Sequence, residues 1–182
     1  MFTDLRKAFD SLDRNILLRK LELYGVPGIL LKWFASYLSN RKQYTQLNGV
    51  KSNIMCNNYG VLQDSVLGPL LFLIYINDLP NVDTDASMKL SADDTNVFNS
   101  DSNLLGLCNE TNACLSKIGS WLYANRLTIN VDKSAYMLFT KNDPSLLRSP
   151  IVQPCINGQN LEFRMPNILV LLLTMCFLGS SY

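Results

Sequence analysis

Three aspartates stand where they could hold metal ions. Asp93 and Asp94 lie within Ser91-Ala92-Asp93-Asp94-Thr95, and Asp4 lies within Phe2-Thr3-Asp4-Leu5-Arg6-Lys7-Ala8-Phe9-Asp10. Carboxylate oxygen is the hard donor that Mg²⁺ prefers. Two short strands that each deliver an aspartate to one point can hold a pair of such ions, and a pair can drive an in-line phosphoryl displacement. An Asp-Asp dipeptide alone is more often the solvated tip of a hairpin. The metal reading therefore rests on what surrounds these residues.

The composition removes several competing chemistries. There is no histidine, which excludes imidazole acid–base catalysis, Ser-His-Asp triads and Cys/His zinc sites. The five cysteines (Cys56, Cys108, Cys114, Cys155, Cys176) are odd in number and form no Cys-x-x-Cys pair. They read as reduced, mostly buried thiols of a cytoplasmic or nuclear protein, not a secreted one. Met1 leads straight into charged residues, without the pattern of a signal peptide. With 48% apolar and 17% charged residues in 182, the chain is globular, one domain with at most a small appendage. The net charge of +1 offers no global excess of base for a nucleic-acid partner. Arg14, Arg19, Lys20, Lys32, Arg41 and Lys42 form a local excess, which reads either as a binding face or as solvated helix surface.

The elements that must position the aspartates follow from periodicity. Met1–Asp4 reads as the end of a strand. Helices are expected over Arg14–Tyr24, stopped by Gly25 and Pro27, and over Ile29–Leu38, burying Leu30, Trp33, Phe34 and Tyr37. Asn48-Gly49 predicts a type I′ hairpin between Tyr44–Leu47 and Val50–Met55. Val66–Ile76 reads as a buried helix with Pro69 in its first turn. Met88–Ala92 and Thr95–Phe98 predict a hairpin with Asp93-Asp94 at its tip, and Asn103–Asn125 a long amphipathic helix. A strand over Ala135–Thr140 and a weaker hairpin over Ile156–Phe163 follow. This order predicts an α+β fold, helices behind a small antiparallel sheet.

Four stretches together resemble the reverse transcriptases of non-LTR (LINE-like) retrotransposons. Phe2–Asp10, followed by Leu17-Leu18-Arg19-Lys20-Leu21, resembles the first motif of their palm. Trp33–Leu38 with Arg41 and Gln43 is similar to the connecting segment. Gly60–Phe72, continuing into Tyr75-Ile76-Asn77-Asp78-Leu79-Pro80, resembles the second motif. Ser91–Thr95 resembles the third, and Trp121-Leu122 through Asn125, Leu127, Asn130 and Lys133 the fourth. The resemblance implies a partial right-hand polymerase palm over residues 1–166 and RNA-templated synthesis of DNA from dNTPs on a DNA primer. It implies two Mg²⁺ ions on Asp4 and Asp93, with Asp94 as a further ligand or orienter. Phe9 would exclude a 2′-hydroxyl, Gln63 would contact the incoming nucleotide, and Lys133 would protonate the departing pyrophosphate. Asp10 is expected to cap the following helix.

The pattern breaks in places, and each break is expected to cost activity. Leu62 and Asp64 replace the proline and second glycine of the family's Gly-Val-Pro-Gln-Gly-Ser, and Asp64 brings negative charge toward a triphosphate. Ser91 replaces an aromatic residue and Arg14 a histidine. The resemblance implies a fingers subdomain upstream of Asp4, so the expectation is a palm without fingers and with little or no activity of its own. Residues 167–182 are expected to be an apolar, frameshifted tail. Synonymous codons can encode Asn167–Cys176 in one frame and Lys-Tyr-Leu-Gly-Val-Ile-Ile-Asp-Asn-Val, the family's next motif, in the neighbouring one. Two other readings stand beside this one: a non-catalytic nucleic-acid-binding relic using Arg14–Lys42, and a membrane-associated product tethered by Ile168–Leu178. The apolar run is too short to predict a membrane span, and no protein partner is indicated.

Overall fold

Asp13 organises the first half of the chain. In the computed structural model, which describes residues 1–139 and 154–163, its carboxylate accepts from the Asn15 and Ile16 amides at 2.8 and 3.2 Å. It thereby caps helix α2 (Arg14–Leu23). The expected cap, Asp10, sits instead inside the short helix α1 (Ala8–Ser11). Helix α2 ends in a Schellman motif: Val26 N donates to Leu21 O and Gly25 N to Glu22 O, with Gly25 at φ 86°. Helices α3 (Gly28–Leu38), α4 (Leu67–Ile76) and α5 (Leu104–Ala124) lie close to their expected spans.

The main sheet has five strands in the order β11-β8-β1-β7-β6. They are β11 (Glu162–Phe163), β8 (Ala135–Tyr136), β1 (Phe2–Thr3), β7 (Asp94–Phe98) and β6 (Ser87–Ser91). Three pairings are antiparallel, as expected, but β11 joins β8 in parallel. The short β1, expected as the end of a strand, is the central strand, with Phe2 opposite both Asn96 and Ala135. The hairpin tip also differs by one residue. Ser91 pairs with Asp94, so the turn is Ala92-Asp93 and Asp94 opens β7. Strand β8 is shorter than expected, and Thr140 lies outside the described residues.

Small ribbons complete the fold. Asn48 and Gly49, at φ 48° and 80°, turn β3 (Gln46–Leu47) into β4 (Val50–Lys51), as the Asn-Gly pair predicts. Strands β2 (Arg41–Gln43) and β5 (Met55–Asn57) pair around them. Asn157-Gly158 makes a similar turn between β9 (Cys155–Ile156) and β10 (Gln159–Asn160). One core joins helices and sheet, with Leu17, Leu21, Phe72, Tyr75, Val97, Leu115 and Ile118 almost wholly buried. Leu30 and Trp33 of α3, expected inside, remain 49% and 50% exposed because α3 packs mainly on α2 and turns Leu31, Phe34 and Leu38 toward the core instead.

Two of the six bases expected on a surface turn out to be structural. The Arg14 guanidinium donates to the carbonyls of Asn57, Tyr59 and Gly60 at 2.6 to 2.9 Å. Lys20 is buried, donating to Tyr75 O and Asp78 Oδ1, both at 2.6 Å, beneath the Tyr75 and Trp121 rings. Cys108 and Cys114 are buried as expected, and burial pushes the Cys114 thiol up to about 12; Cys56, however, is exposed. No helix among the described residues is long and apolar enough to cross a membrane, and Ile168–Leu178 lies outside them.

The loop from Gly60 to Val66 contains two glycine-like positions. Gly60 has φ 73°, and a Cβ there would fall 2.8 Å from Asp10 Cα and Phe9 O. Asp64 has φ 55° without being glycine, a conformation that Asp tolerates at some cost. Asp64→Gly is therefore expected to stabilise the fold by about 0.5–1 kcal/mol. Gly60→Ala is expected to destabilise it by about 2 kcal/mol or more, from strain plus overpacking. Urea midpoints at unchanged slope check both values; shifts of the same sign would contradict the loop geometry.

Candidate active site

Asp4 leaves the central strand just after the buried Thr3, and a second ladder then holds it. Arg6 N donates to Thr128 O, Leu5 bridges Ile129, and Asn130 N donates to Asp4 O at 2.8 Å. The side chains repeat the grip. Asn130 Nδ2 donates to Asp4 Oδ2 at 3.0 Å, and Asp4 N donates to Ser134 Oγ at 3.1 Å. Ser134, fully buried, donates in turn to Asn130 O at 2.8 Å. One Asp4 oxygen is thus fixed by an amide.

The β6–β7 turn places Asp93 nearby. Ala92, at φ 53°, takes the left-handed position that a two-residue hairpin demands. Asp94 starts the ladder of β7, on the side opposite the buried Thr95 and Val97.

Two more segments close the site. Phe9, on α1, rests its ring on buried Phe72 of α4, centroids 4.7 Å apart. The Gly60–Gln63 loop hangs from the same turn, with Gly60 N donating to Leu12 O and Val61 N to Phe9 O at 2.8 and 2.9 Å. Only glycine permits that approach, as the contacts at Gly60 show. The loop delivers Gln63, whose Nε2 donates to Asp10 Oδ1 at 2.7 Å. Lys133 closes a 3₁₀ turn over Val131–Lys133.

Asp4, Asp93, Phe9, Gln63 and Lys133 thus line one cleft of about 360 Å³, together with Asn130, Arg6 and Lys7. Asp94 is not on its wall. Its carboxyl is nevertheless raised above the usual carboxylate range, by burial first, then by the charges of Asp93 and Asp4, with Lys133 opposing. Asp64 lies outside the cleft and is exposed, so it adds no charge to the wall.

Sequence reasoning gave no role to Asn130, Ser134, Arg6 or Lys7. Asn130 and Ser134, four residues apart, flank a tight turn. Their signals were the place of Asn130 in the fourth motif and the nearness of both to Lys133; the pairing of Asn130 with Asp4, 126 residues away, is visible only in three dimensions. Among the described residues, no three carboxylate or thiol groups converge into a closed metal cage. The donor set still suits Mg²⁺, which binds through one or two carboxylates and completes its shell with phosphate oxygens and water.

The arrangement has relatives. Residues 1–168 match the family described as reverse transcriptase (RNA-dependent DNA polymerase). The chain is 30% identical over 151 residues to the RNA-directed DNA polymerase from mobile element jockey of Drosophila melanogaster, covering 79% of this chain and 16% of that protein. It is 27% identical over 146 residues to the jockey polymerase of Drosophila funebris, covering 76% and 16%. It is 28% identical over 165 residues to the probable RNA-directed DNA polymerase from transposon BS of Drosophila melanogaster, covering 83% and 17%. The chain spans about a sixth of the length of these curated relatives. It belongs to the reverse transcriptase family, of the kind carried by non-LTR retrotransposons.

Proposed function

We propose that the cleft is the catalytic cleft of a polymerase palm, shaped to add deoxynucleotides from dNTPs to a DNA primer on an RNA template. The observation that carries this reading is the meeting of Asp4, Phe9, Gln63, Asp93 and Lys133 in one cleft, from segments up to about 130 residues apart. Asp4 and Asp93 would hold two Mg²⁺ ions, with Asp94 orienting the pair. When bound, the ions supply Lewis acidity at the primer 3′-hydroxyl and neutralise the triphosphate leaving group.

The remaining residues position and discriminate. Asn130 fixes Asp4 through its side chain and its own backbone, with Ser134 bridging the two backbones. The Phe9 ring, pinned by Phe72, forms a flat wall where a sugar bearing a 2′-hydroxyl would collide. Gln63 meets the nucleotide with its amide held by Asp10. Lys133 would hand a proton from Nζ to the departing pyrophosphate, and Arg6 and Lys7 add positive charge to the same cleft.

The same reading predicts that this chain alone polymerises weakly or not at all. Ser91, exposed, provides no ring beneath the turn, so Asp93 is held by the backbone ladder and a strained Ala92. Catalysis requires metal ligands placed to well within an ångström. An exposed free thiol at Cys56 fits a reducing compartment, the cytoplasm or nucleus. The apolar run after Pro166 is read as frameshifted sequence, consistent with a family match that ends at residue 168.

Metal binding tests the cleft without requiring turnover. Mn²⁺ binding, followed by electron paramagnetic resonance, is expected to weaken at least tenfold in Asp4→Asn and in Asp93→Asn, and about tenfold in Asn130→Ala. Wild-type affinity in Asp93→Asn would remove the two-ion reading. In a primer-extension assay on RNA, the chain is expected to yield no product above background. Extension that Asp4→Asn abolishes would show the chain to be an active polymerase, against the expected inactivity, while supporting the cleft.

A further inference from the structure

Asn-Gly occurs twice in the chain, as Asn48-Gly49 and Asn157-Gly158, and each pair turns a two-residue hairpin. The two backbones match, with φ of 48° and 80° at the first turn and 51° and 78° at the second. Asn-Gly is also a place where a chain can react with itself. The glycine amide nitrogen attacks Cγ of the asparagine, so that an N–Cγ bond forms and the Cγ–Nδ2 bond breaks. The amide proton leaves with Nδ2 as ammonia, and a five-membered succinimide remains. Water then opens the ring at either carbonyl, giving isoaspartate or aspartate. Glycine favours the attack because it has no Cβ to hinder it and its φ is free. A formed hairpin restricts the rotations that the attack needs. The rate therefore follows how cheaply each hairpin opens.

The two hairpins differ in what holds them shut. Every residue from 42 to 56 is exposed. Leu47 and Val50, opposed across the first turn, are 72% and 74% exposed, and β3 and β4 pack chiefly on each other. A two-stranded ribbon of that kind is marginal in water. The second hairpin is anchored. Ile156 and Leu161 are buried, and β9 packs on α5, where Cys155 N donates to Asn112 Oδ1 at 3.0 Å. The Asn157 carboxamide lies against Gly119 of α5, since a Cβ there would fall 2.7 Å from Oδ1 and 3.7 Å from Cγ. Asn157 is itself exposed, but opening its turn means freeing buried side chains and the α5 contact.

We propose that Asn48 is a site of spontaneous deamidation through a succinimide, selective over Asn157, and that its isoaspartate product unlocks the β3–β4 ribbon. Isoaspartate inserts a methylene into the main chain of a turn that has room for two residues, so the pairing of Leu47 with Val50 is lost. The aspartate product keeps the chain length and leaves an Asp-Gly turn, which the same hairpin accepts. Either product places a carboxylate in residues 23–63, which have none, and takes the net charge from +1 to zero. No residue of the ribbon lines the cleft, so the inference does not depend on the metal reading.

Ageing the full chain in mildly alkaline buffer, followed by tryptic digestion and mass spectrometry, tests the selectivity. Cleavage at lysine and arginine separates the two turns into residues 43–51 and 149–164. Asn48 is expected to convert at least about tenfold faster than Asn157 in the folded chain, and the two rates to agree within about twofold in concentrated urea, where neither hairpin forms. Ser52 N donates to Thr45 O at 2.8 Å in the ribbon, and its amide exchange reports the unlocking. Exchange at Ser52 is expected to quicken by about tenfold in the isoaspartate fraction, while Asn48→Asp stays close to the wild type. Equal rates at the two asparagines of the folded chain, or faster conversion of Asn157, would overturn the proposal. So would a preference for Asn48 that persists undiminished in urea, since it would then belong to the flanking residues and not to the anchoring. Unchanged exchange at Ser52 in the isoaspartate fraction would overturn the unlocking.

Discussion

The buried carboxylate of Asp13 is the point on which the other parts converge. One oxygen caps α2; the other meets the Arg126 guanidinium at 2.8 Å, just past the end of α5. Its backbone bridges Tyr59, and its neighbour Arg14 takes the carbonyls of Asn57, Tyr59 and Gly60. Three segments distant in sequence are thereby tied at one corner. Each runs directly into the cleft: the first back to Phe9 and Asp4, the second on to Asn130 and Lys133, the third on to Gln63. A buried acid with one partner removed is costly, typically by a few kcal/mol. The corner therefore tolerates little change, even though Arg126 is itself largely exposed.

Strained backbone and like charge meet around the cleft, although left-handed non-glycine residues also occur elsewhere, at Asn40, Asn48, Arg126 and Asn157. Three non-glycine residues with left-handed backbone, Lys7, Asp64 and Ala92, adjoin the segments that carry Asp4, Gln63 and Asp93. Each costs on the order of 1 kcal/mol. The charges of Asp4 and Asp93 act with burial to hold the Asp94 carboxyl above its usual range. Backbone strain and like charge in one place are what a binding site accumulates when a ligand is to supply the compensation, as the proposed cation with phosphate would do here.

Elements with strong local signals were legible in the sequence. The Asn-Gly ribbon, the proline-led helix α4 and the span of α5 follow from turn chemistry and apolar period. The candidate site residues came from resemblance, and five of the six line one cleft. What was hidden depends on distant partners. Asp13 and not Asp10 is the cap because α1 takes up Ala8–Ser11, which leaves Asp13 at the residue just before α2. Arg14 and Lys20 look like surface bases until the carbonyls and rings that receive them are in view. The apolar face of α3 predicted burial that packing mainly on α2 does not provide in full. The parallel pairing of β11 has no local signature.

The central position of β1 carries a consequence for how the fold is reached. Phe2 pairs with Asn96 on one side and Ala135 on the other, and Val97 N donates to Met1 O across 96 residues. The sheet is thus closed by contacts of long sequence separation, the kind that slows folding because loop entropy must be lost before the pairing is gained. During synthesis, β1 waits unpaired until β7 and then β8 have left the ribosome. The helices, which need only near neighbours, can form in that interval. Assembly of the cleft is therefore a late event, and damage to the distal strands disrupts it even when both aspartates are intact.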